Sequence, residues 1–425
     1  MATHPRDTAY DSLHGPGAAL YRQLGASPVD WIDTHGLAAL TGLDTVAAPQ
    51  LATTLVDAGL LDTVDHGFAL PPDGHLHARI TAERGEHDEL ALTVEGLDRL
   101  FAFLRDAARA AEHLITPSHR PLWPHQEAQD EQVEPPFALE ETAALDWLEA
   151  QLPNYISVLR FAFLDQRFAL CCDLAYSLWP LWLRRRHPEQ RYEAHTLGLS
   201  AAVALADDSA IGQMLTAMAG TVRSTRPVQA YEYNRRAADH YQDTGDTMGL
   251  AQALNGLGKD LLDAGHLDQA DQYFRNAEEL RIDMDYVRSA ALSRQGRGLV
   301  ALVRGDAAAA ADHLLAAYQT LSDCGDTYDA ALTLAHHADA VAGLGEIDGA
   351  LSELDTAFTA LEQASSAFGQ GIVWEIRAKI LTEAGRGEEA EAARARALAL
   401  YEQVDPDAAN RLAAHMTQVS ATSSL

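Results

Sequence analysis

The chain has 425 residues, of which 62 are acidic and 31 basic, giving a formal net charge of −31. This length is too great for one ordinary hydrophobic core, and the negative charge argues against nucleic-acid binding outside a local basic patch. Three cysteines provide no disulfide framework, and there is neither a signal peptide nor an apolar stretch of about 20 residues, so we predict a cytoplasmic protein without a membrane span.

The N-terminal region has the pattern of three helices followed by a β-hairpin. After a flexible N-terminus over residues 1–15, helices are predicted in GAALYRQLGAS, DTHGLAALTGLD and APQLATTLVDAGLLD. Two short strands then flank a turn at Asp65–Gly67 within GLLDTVDHGFALPP. This order predicts a small winged-helix-like domain over residues 16–80.

The predicted winged helix lacks the charges with which such modules bind DNA. No Lys or Arg occurs between Arg22 and Arg79. Specific DNA binding normally needs Arg or Lys on phosphates and bases, so a structural or protein-contacting role is favoured over DNA recognition. The helix that would enter the major groove, residues 47–58, has these polar residues: Gln50, Thr53, Thr54 and Asp57.

A helix and a proline-rich linker are predicted to separate this domain from the rest of the chain. The helix covers residues 97–115, LDRLFAFLRDAARAAEHLI, and the linker covers residues 117–136. Both belong to a predicted connecting region over residues 81–138, after which a long helical region begins.

Glycines and alanines recur in the C-terminal half with a period of 40 residues. The glycines are Gly265, Gly305, Gly345 and Gly385. The alanines form two series seven residues apart, which are Ala230, Ala270, Ala310, Ala350, Ala390 and Ala237, Ala277, Ala317, Ala357, Ala397. Seven residues are two helical turns, so each alanine pair lies on one helix face. The pattern predicts stacked helix pairs over residues 139–405, followed by a frayed tail over 406–425.

The repeat unit resembles the tetratricopeptide repeat, in which a helix A and a helix B are joined by a short turn. In ALNGLGKDLLDAGHLDQADQYFRNAEEL, residues 253–280, Gly258 is the small residue of helix A, and Ala270 and Ala277 are the alanines of helix B. The unit of 40 residues is longer than the usual one of about 34. The resemblance implies an all-α, tetratricopeptide-like α-solenoid with a small N-terminal winged-helix-like domain.

The order of these parts resembles the C-terminal portion of actinobacterial SARP and STAND-type regulators. In that family a winged helix follows the nucleotide-binding domain, and LVDAGLLD followed by GFALP is similar to that module. The phosphate-binding pattern GxxxxGK[ST] is missing, because NGLGKD at residues 255–260 has Asp260 in place of Ser or Thr and lies inside a repeat helix. The resemblance therefore implies the sensing part of such a regulator without its NTPase domain.

Helix A residues line the concave surface of such a solenoid, and their register selects a candidate groove. Both lysines of the chain, Lys259 and Lys379, lie six residues before a turn glycine. The tetratricopeptide resemblance implies that Asn255 and Lys259 clamp a peptide carboxylate, whereas the alternative is a surface lysine paired with a carboxylate of its own chain. The full predicted groove consists of Gln252, Asn255, Lys259, Gln295, Asp339, Glu375 and Lys379.

Two further stretches have both a structural and a functional interpretation. The basic run LRRRHPEQR, residues 183–191, either offsets the dipole at a helix C-terminus ahead of Pro188 or docks an acidic partner, nucleic acid included. Trp179 and Trp182 either pack in the core or anchor a ligand. We favour the structural interpretation for both stretches.

No arrangement of residues predicts catalysis, a metal site or a cofactor. The sequence contains neither HExxH nor GxSxG. The pair His75 and His77 and the adjacent His336 and His337 lack further metal ligands at suitable spacing.

These features predict a non-catalytic regulator or scaffold that binds a protein or peptide in the groove of its repeat array. The first alternative is an enzyme, or an accessory subunit of a biosynthetic enzyme, with its active site on the solenoid. The second is a DNA-binding transcriptional regulator. The predicted partner is a protein or peptide rather than a nucleic acid or a membrane, and a homodimer is compatible with the acidic surface.

Overall fold

A computed structural model describes residues 5–123 and 135–422 of the chain. The chain divides into two compact units, Met1–Pro180 and Leu181–Leu425, which we call unit 1 and unit 2. Part of the predicted linker, residues 124–134, lies outside the described residues. Within the described ranges, every helix is too short or too polar to span a lipid bilayer.

Unit 1 consists of helices and one short hairpin. Strands β1, Asp62–Val64, and β2, Gly67–Ala69, pair antiparallel, and an isolated bridge joins Ile32 to Phe68. The helices of unit 1 are α1 (Pro5–Asp11), α2 (Pro16–Ala26), α3 (Thr34–Thr41), α4 (Ala47–Asp57), α5 (Gly74–Glu83), α6 (His87–Ile115), α7 (Glu141–Leu164) and α8 (Phe168–Ser177).

Three helices and a hairpin are present where the sequence pattern places them. Helices α2, α3 and α4 precede the hairpin, whose turn lies between Val64 and Gly67. Gly67 has a φ of 150°, and a Cβ atom at this position would lie 2.2 Å from the Ile32 carbonyl oxygen. Only glycine therefore allows β2 to approach the Ile32 backbone this closely.

Helix α7 fixes the segment between α2 and α3 through polar contacts. The Asn154 side chain accepts a hydrogen bond from the Asp30 amide at 2.9 Å. The Asp33 carboxylate, which caps α3, accepts hydrogen bonds from Trp147 Nε1 at 3.1 Å and Gln151 Nε2 at 3.0 Å. Such satisfied, partly buried networks fix orientation as well as position.

Unit 2 is an α-solenoid built from antiparallel helix pairs. Helix α9 (Trp179–Arg184) ends just inside this unit. The helices that follow are α10 (Pro188–Leu205), α11 (Asp208–Val222), α12 (Pro227–Thr244), α13 (Thr247–Asp263), α14 (Leu267–Asp283), α15 (Val287–Arg304), α16 (Ala307–Asp323), α17 (Thr327–Gly343), α18 (Ile347–Gln363), α19 (Ala367–Glu383), α20 (Gly387–Val404) and α21 (Pro406–Thr422). The A helices are α11, α13, α15, α17 and α19, and each is followed by its B helix.

The 40-residue period has the structural basis predicted from the sequence. The four turn glycines have φ values from 74° to 94°, a region that side chains disfavour, and all follow the end of an A helix. All ten alanines of the two series are 0% exposed. Small residues at these positions allow neighbouring helices to approach closely, so the predicted α-solenoid is confirmed.

The A helices form the inner layer of unit 2. Each A helix from α11 to α17 contacts the A helix of the next repeat, and these contacts are more extensive than any between successive B helices of the described chain. Closer spacing on one side bends a stack of helix pairs toward that side. Helix A residues therefore line the concave surface.

The C-terminal region that was expected to fray contains a helix instead. Helix α21 packs Ala408 and Leu412 against Tyr401 of α20, and the Asp405 carboxylate caps its first turn by accepting from the Ala408 amide at 3.0 Å. This helix covers the apolar surface of the last repeat, but its alanines are outside the 40-residue register. Helix α1 likewise occupies part of the predicted flexible N-terminus.

Candidate functional site

Predicted groove residues link consecutive A helices on the inner layer. Gln252 Nε2 of α13 donates to Thr216 Oγ1 of α11 at 3.3 Å. Gln295 Nε2 of α15 donates to Thr333 Oγ1 of α17 at 2.8 Å. Each of these contacts joins residues about one repeat apart, so the side chains stabilise the stack as well as lining its concave surface.

Lys379 and Glu375, both on α19, have partners within unit 2. Lys379 Nζ lies 2.8 Å from the Asp339 carboxylate of α17, although the lysine side chain remains 52% exposed. The Glu375 carboxylate accepts a hydrogen bond from the Tyr401 hydroxyl at 2.9 Å. Lys379 thus has the intramolecular carboxylate partner that the alternative interpretation of the lysines requires.

Lys259 on α13 differs from Lys379 because it has no ion pair or hydrogen bond among the described residues. The side chain of Lys259 reaches solvent, but much of its surroundings is protein rather than water. This partial loss of hydration and the nearby charge of Arg223 lower the pKa of the ammonium to about 8. The charge of Asp329, two A helices further along, partly opposes this shift. The stacking of consecutive A helices brings the charge of Asp329 close enough to act on Lys259.

A second cation of this region, Arg281 at the end of α14, also lacks a carboxylate partner in the described chain. It is 5% exposed, and its Nη1 donates to the Ser289 carbonyl oxygen at 2.9 Å and to Ser293 Oγ at 2.7 Å. Ser293 Oγ in turn lies 3.1 Å from Asn255 Oδ1. Burial and the charge of Arg288 lower the pKa of Arg281 to about 10.

The neighbouring arginines are paired. Arg223 Nε donates to the Asp260 carboxylate at 2.7 Å, and Arg288 Nη2 donates to the Asp329 carboxylate at 2.8 Å. The uncompensated positive charge of this region therefore belongs to Lys259 and Arg281. The sequence register does not identify Arg281, because this residue lies on a B helix and the register selects helix A residues.

Two of the four histidines that were considered as metal ligands, His77 and His337, have other partners. His77 Nδ1 lies 2.9 Å from the Tyr21 hydroxyl and its Nε2 lies 3.0 Å from the Asp7 carboxylate. His337 Nδ1 lies 2.8 Å from the Glu353 carboxylate. Across residues 5–123 and 135–422, no three His, Cys, Asp or Glu side chains are grouped so that they could hold a metal ion.

The exposed face of α4 in unit 1 is polar and uncharged apart from one carboxylate. The hydroxyls of Thr53 and Thr54 donate to carbonyl oxygens of their own helix at 2.9 and 2.7 Å. The helix contains no Lys or Arg. The exposed polar side chains of this helix are Gln50, Thr53, Thr54 and Asp57.

Trp182, one of the two tryptophans that were weighed as ligand anchors, packs in the interior of unit 2. Its side chain is 0% exposed and its ring lies edge-on to His195, with ring centroids 6.3 Å apart. Trp179 in unit 1 is partly buried and stacks on His119 at a centroid distance of 5.0 Å. Both tryptophans therefore have the packing contacts of the structural interpretation.

Comparison with known proteins identifies the fold. No protein-family model and no curated protein matches the sequence. Among solved structures, the chain is similar to a signal transduction ATPase with numerous domains that carries a tetratricopeptide repeat sensor, from Pyrococcus horikoshii, with a TM-score of 0.58 and 13% identity over 99% of this chain. The chain spans 59% of the length of that ATPase.

A second solved structure is similar over part of the chain. It is the apo form of RapI, with a TM-score of 0.50 and 12% identity, covering 61% of this chain and 95% of RapI. At such low identities the likeness establishes the fold alone. The fold is an all-α, tetratricopeptide-like solenoid.

Proposed function

We propose that the chain is a non-catalytic regulator or scaffold that binds a protein or peptide along the concave surface of unit 2. The observation that carries the proposal is Lys259, an exposed cation on an A helix that has no carboxylate partner in the described chain. In a protein with a net charge of −31, such a site favours an acidic group that the rest of the surface repels.

The chemistry of the site fits a peptide carboxylate. An ammonium group forms charge-assisted hydrogen bonds with a carboxylate, and these are stronger than neutral ones. The Ser293 hydroxyl accepts a hydrogen bond from Arg281 and donates one to the Asn255 amide oxygen. The positive charge of Arg281 is thereby connected to Asn255 through one hydroxyl group. Asn255 and Lys259 are also the residues that the tetratricopeptide resemblance assigns to a carboxylate clamp.

For unit 1 we infer a winged-helix-like domain over residues 16–80 that contacts protein rather than DNA. Its order of three helices and a hairpin supports the assignment, and the absence of cations from α4 supports the protein-contacting role. With the connecting region 81–138 and the repeats 139–405, the chain would correspond to the sensing part of a STAND-type regulator. The similarity to an ATPase with a tetratricopeptide repeat sensor supports this proposal.

The experiment compares three variants in affinity capture from the native lysate at low salt, with mass-spectrometric identification. Lys259→Glu reverses the charge of the site, and Lys259→Gln removes it. Lys379→Glu is the matched control, since it changes a lysine at the same repeat position that is paired with Asp339. We expect the partner to be retained by the unmodified chain and by Lys379→Glu, and to be lost by both Lys259 variants.

The captured partner then provides a sharper test of the carboxylate. A synthetic peptide with the C-terminal sequence of the partner is prepared as the free acid and as the amide. We expect the amide to bind at least about tenfold more weakly, since charge-assisted hydrogen bonds contribute at least that much. Equal capture by Lys259→Glu and the unmodified chain would move the binding site away from the groove.

A further inference from the structure

A short basic segment of unit 2 lies against the C-terminal repeats of the same unit. It comprises residues 183–186, Leu-Arg-Arg-Arg, at the end of α9, and we call it the arginine strap. Leu183 packs against the hydrophobic cluster that contains Tyr328 and Leu361. The basic run that was favoured as a helix-terminal charge pattern therefore makes long-range tertiary contacts.

The first two arginines of the strap contact two successive repeats. The Arg184 guanidinium lies 3.8 Å from the centroid of the Tyr328 ring, at the start of α17. Arg185 Nη1 donates to the Ser365 carbonyl oxygen at 2.8 Å, in the turn before α19. A planar guanidinium stacks on aromatic rings and donates in several directions at once, so both contacts suit arginine.

The third arginine contacts the next repeat boundary. Arg186 Nε and Nη2 both donate to Asp405 Oδ2, at 3.1 and 2.7 Å, in the turn before α21. Its guanidinium also lies 4.0 Å from the centroid of the Phe368 ring. Asp405 is only 5% exposed, so this ion pair is shielded from solvent. Three consecutive arginines thus contact three consecutive repeats.

The backbone at the end of the arginine strap, at Arg186 and the following His187, is held in an unfavourable conformation. Arg186 and His187 have φ values of 75° and 46°, in the left-handed region that residues with a Cβ atom disfavour. Two successive residues of this kind persist only where surrounding contacts hold them. The Leu181 carbonyl oxygen accepts from the amides of Arg185 and Arg186, and the side-chain contacts with the repeats supply the rest.

We propose that the arginine strap is an exchangeable intramolecular ligand, and that the repeat turns it covers form a binding site for arginine-rich peptides. We call this surface the guanidinium site, and its residues are Tyr328, Ser365, Phe368 and Asp405. Two aromatic faces, a carbonyl oxygen and a buried carboxylate recognise guanidinium groups, whereas an ammonium group cannot stack and donate in the same plane.

Because the strap is covalently attached, its effective concentration at the guanidinium site is high, on the order of millimolar. A free peptide therefore competes poorly while the strap is docked and binds well once the strap is weakened. The chemistry of this site is opposite to that of the Lys259 region, which binds an anion in our proposal. The two sites can therefore be tested separately.

The test uses the full chain and a fluorescent peptide of residues 181–190, LWLRRRHPEQ, with binding followed by anisotropy. We expect the strap variant R185A/R186A to bind the peptide at least about tenfold more tightly than the unmodified chain does. Arg235→Ala is the matched control, because Arg235 is exposed on α12 and forms ion pairs with Glu232 and Asp239 of the same helix. This control should bind the peptide as the unmodified chain does.

Two further comparisons define the chemistry of the guanidinium site. A peptide with lysine at all three arginine positions should bind the strap variant at least about tenfold more weakly. Adding Asp405→Asn to the strap variant should weaken binding by about 10- to 100-fold, because it removes the charged acceptor while asparagine retains the ability to cap α21.

A second measurement uses the unmodified chain, so that the proposal can be tested even if the strap variant fails to fold. Hydrogen exchange is followed at residues 183–187 while a peptide carrying isotope-labelled leucine is added to about millimolar concentration. Faster exchange of the strap amides supports displacement. Unchanged exchange at that concentration, or a folded strap variant that binds the peptide no better than the unmodified chain, overturns the proposal.

Discussion

Two lysines occupy the same position of the repeat and differ in their surroundings. Lys379 is paired with Asp339, whereas Lys259 has only more distant charges around it. The difference arises because the residue one repeat before Lys379 is an aspartate, whereas the residue one repeat before Lys259 is Ala219. A shared register therefore predicts where a lysine side chain lies, but not whether a carboxylate neutralises its charge.

The lowered pKa of Lys259 predicts unusual amine reactivity. Only the neutral amine reacts with acetylating reagents, so we expect the labelling rate of Lys259 to rise with pH and reach half its maximum near pH 8. An ordinary lysine reaches this point at about pH 10.4. Peptide-level mass spectrometry measures the rate directly, because the chain contains just two lysines.

The charge on Lys259 also sets the pH dependence of the proposed binding. Below pH 8 the ammonium is protonated and attracts a carboxylate, and above pH 8 this attraction is lost. Removing the opposing charge with Asp329→Asn should move the labelling midpoint to still lower pH. A midpoint near that of an ordinary lysine would contradict the desolvated surroundings that the structure gives this residue.

At the residue scale, the sequence pattern identifies the residues of the A helices but not Arg281, the B-helix residue that contacts them. The helical register placed Asn255 and Lys259 on the inner layer because the period is strict. It could not identify Arg281, whose contribution depends on a hydrogen bond through Ser293 to the neighbouring helix. Contacts that pass between helices through side chains leave no periodic pattern in the sequence.

At the scale of helices, aromatic residues of the B helices are packed against glycines of the A helices. The Phe274 side chain of α14 is 0% exposed and lies between α13 and α15. A Cβ atom at Gly296 of α15 would lie 2.4 Å from the Phe274 ring, and one at Gly258 of α13 would lie 2.8 Å from it. The ring is enclosed on both sides, so neither helix can accept a larger residue there without moving.

Gly296→Ala should therefore destabilise unit 2. We expect the free energy of unfolding to fall by about 1–3 kcal/mol, the usual result of overpacking a filled core. Urea denaturation followed by circular dichroism measures the change, and hydrogen exchange should locate the loosened contact at α14 and α15.

The control is the same substitution at Gly349 of α18, where the added Cβ has no neighbour within 4 Å beyond the adjacent residues and backbone of its own helix. Alanine is a better helix former than glycine, so stability should rise by up to about 1 kcal/mol. If both alanine variants changed stability in the same direction, the close packing of Phe274 would not be the cause.

The elements that follow the 40-residue period were predictable, and those outside it were not. Helix pairs from α13 to α20 repeat the same turn glycine and alanine positions, and α12 repeats the alanines, so their order could be read from the sequence. Helix α21 does not repeat these positions, although it buries Leu412 against the last repeat. The arginine strap was recognised as basic, but its partners lie more than a hundred residues further along the chain.

At the scale of the whole molecule, α21 covers the open end of the repeat stack. Solenoids need such capping elements because the last repeat otherwise exposes an apolar face. Leu412→Glu should place a charge against Tyr401, destabilise the end of the array by about 2 kcal/mol or more, and promote self-association. Thermal unfolding and size-exclusion chromatography measure these effects.

A matched substitution separates packing from charge. Asn410 is exposed on α21, so Asn410→Glu adds the same charge without entering the packed face. We expect this variant to unfold and elute as the unmodified chain does. A similar loss of stability in both variants would mean that added negative charge, rather than lost capping, is responsible.

The arginine strap has a consequence for how this repeat array can evolve. Solenoids commonly gain or lose whole repeats, because each unit contacts only its neighbours. Here adjacent arginines contact turns at Tyr328, Ser365 and Asp405, so the count of helix pairs between the strap and those turns is fixed by geometry. Duplicating one 40-residue unit between the strap and these turns would shift the turns by one repeat, so that the arginines could no longer contact them. The contact between the arginine strap and these three turns therefore fixes the number of repeats in this array.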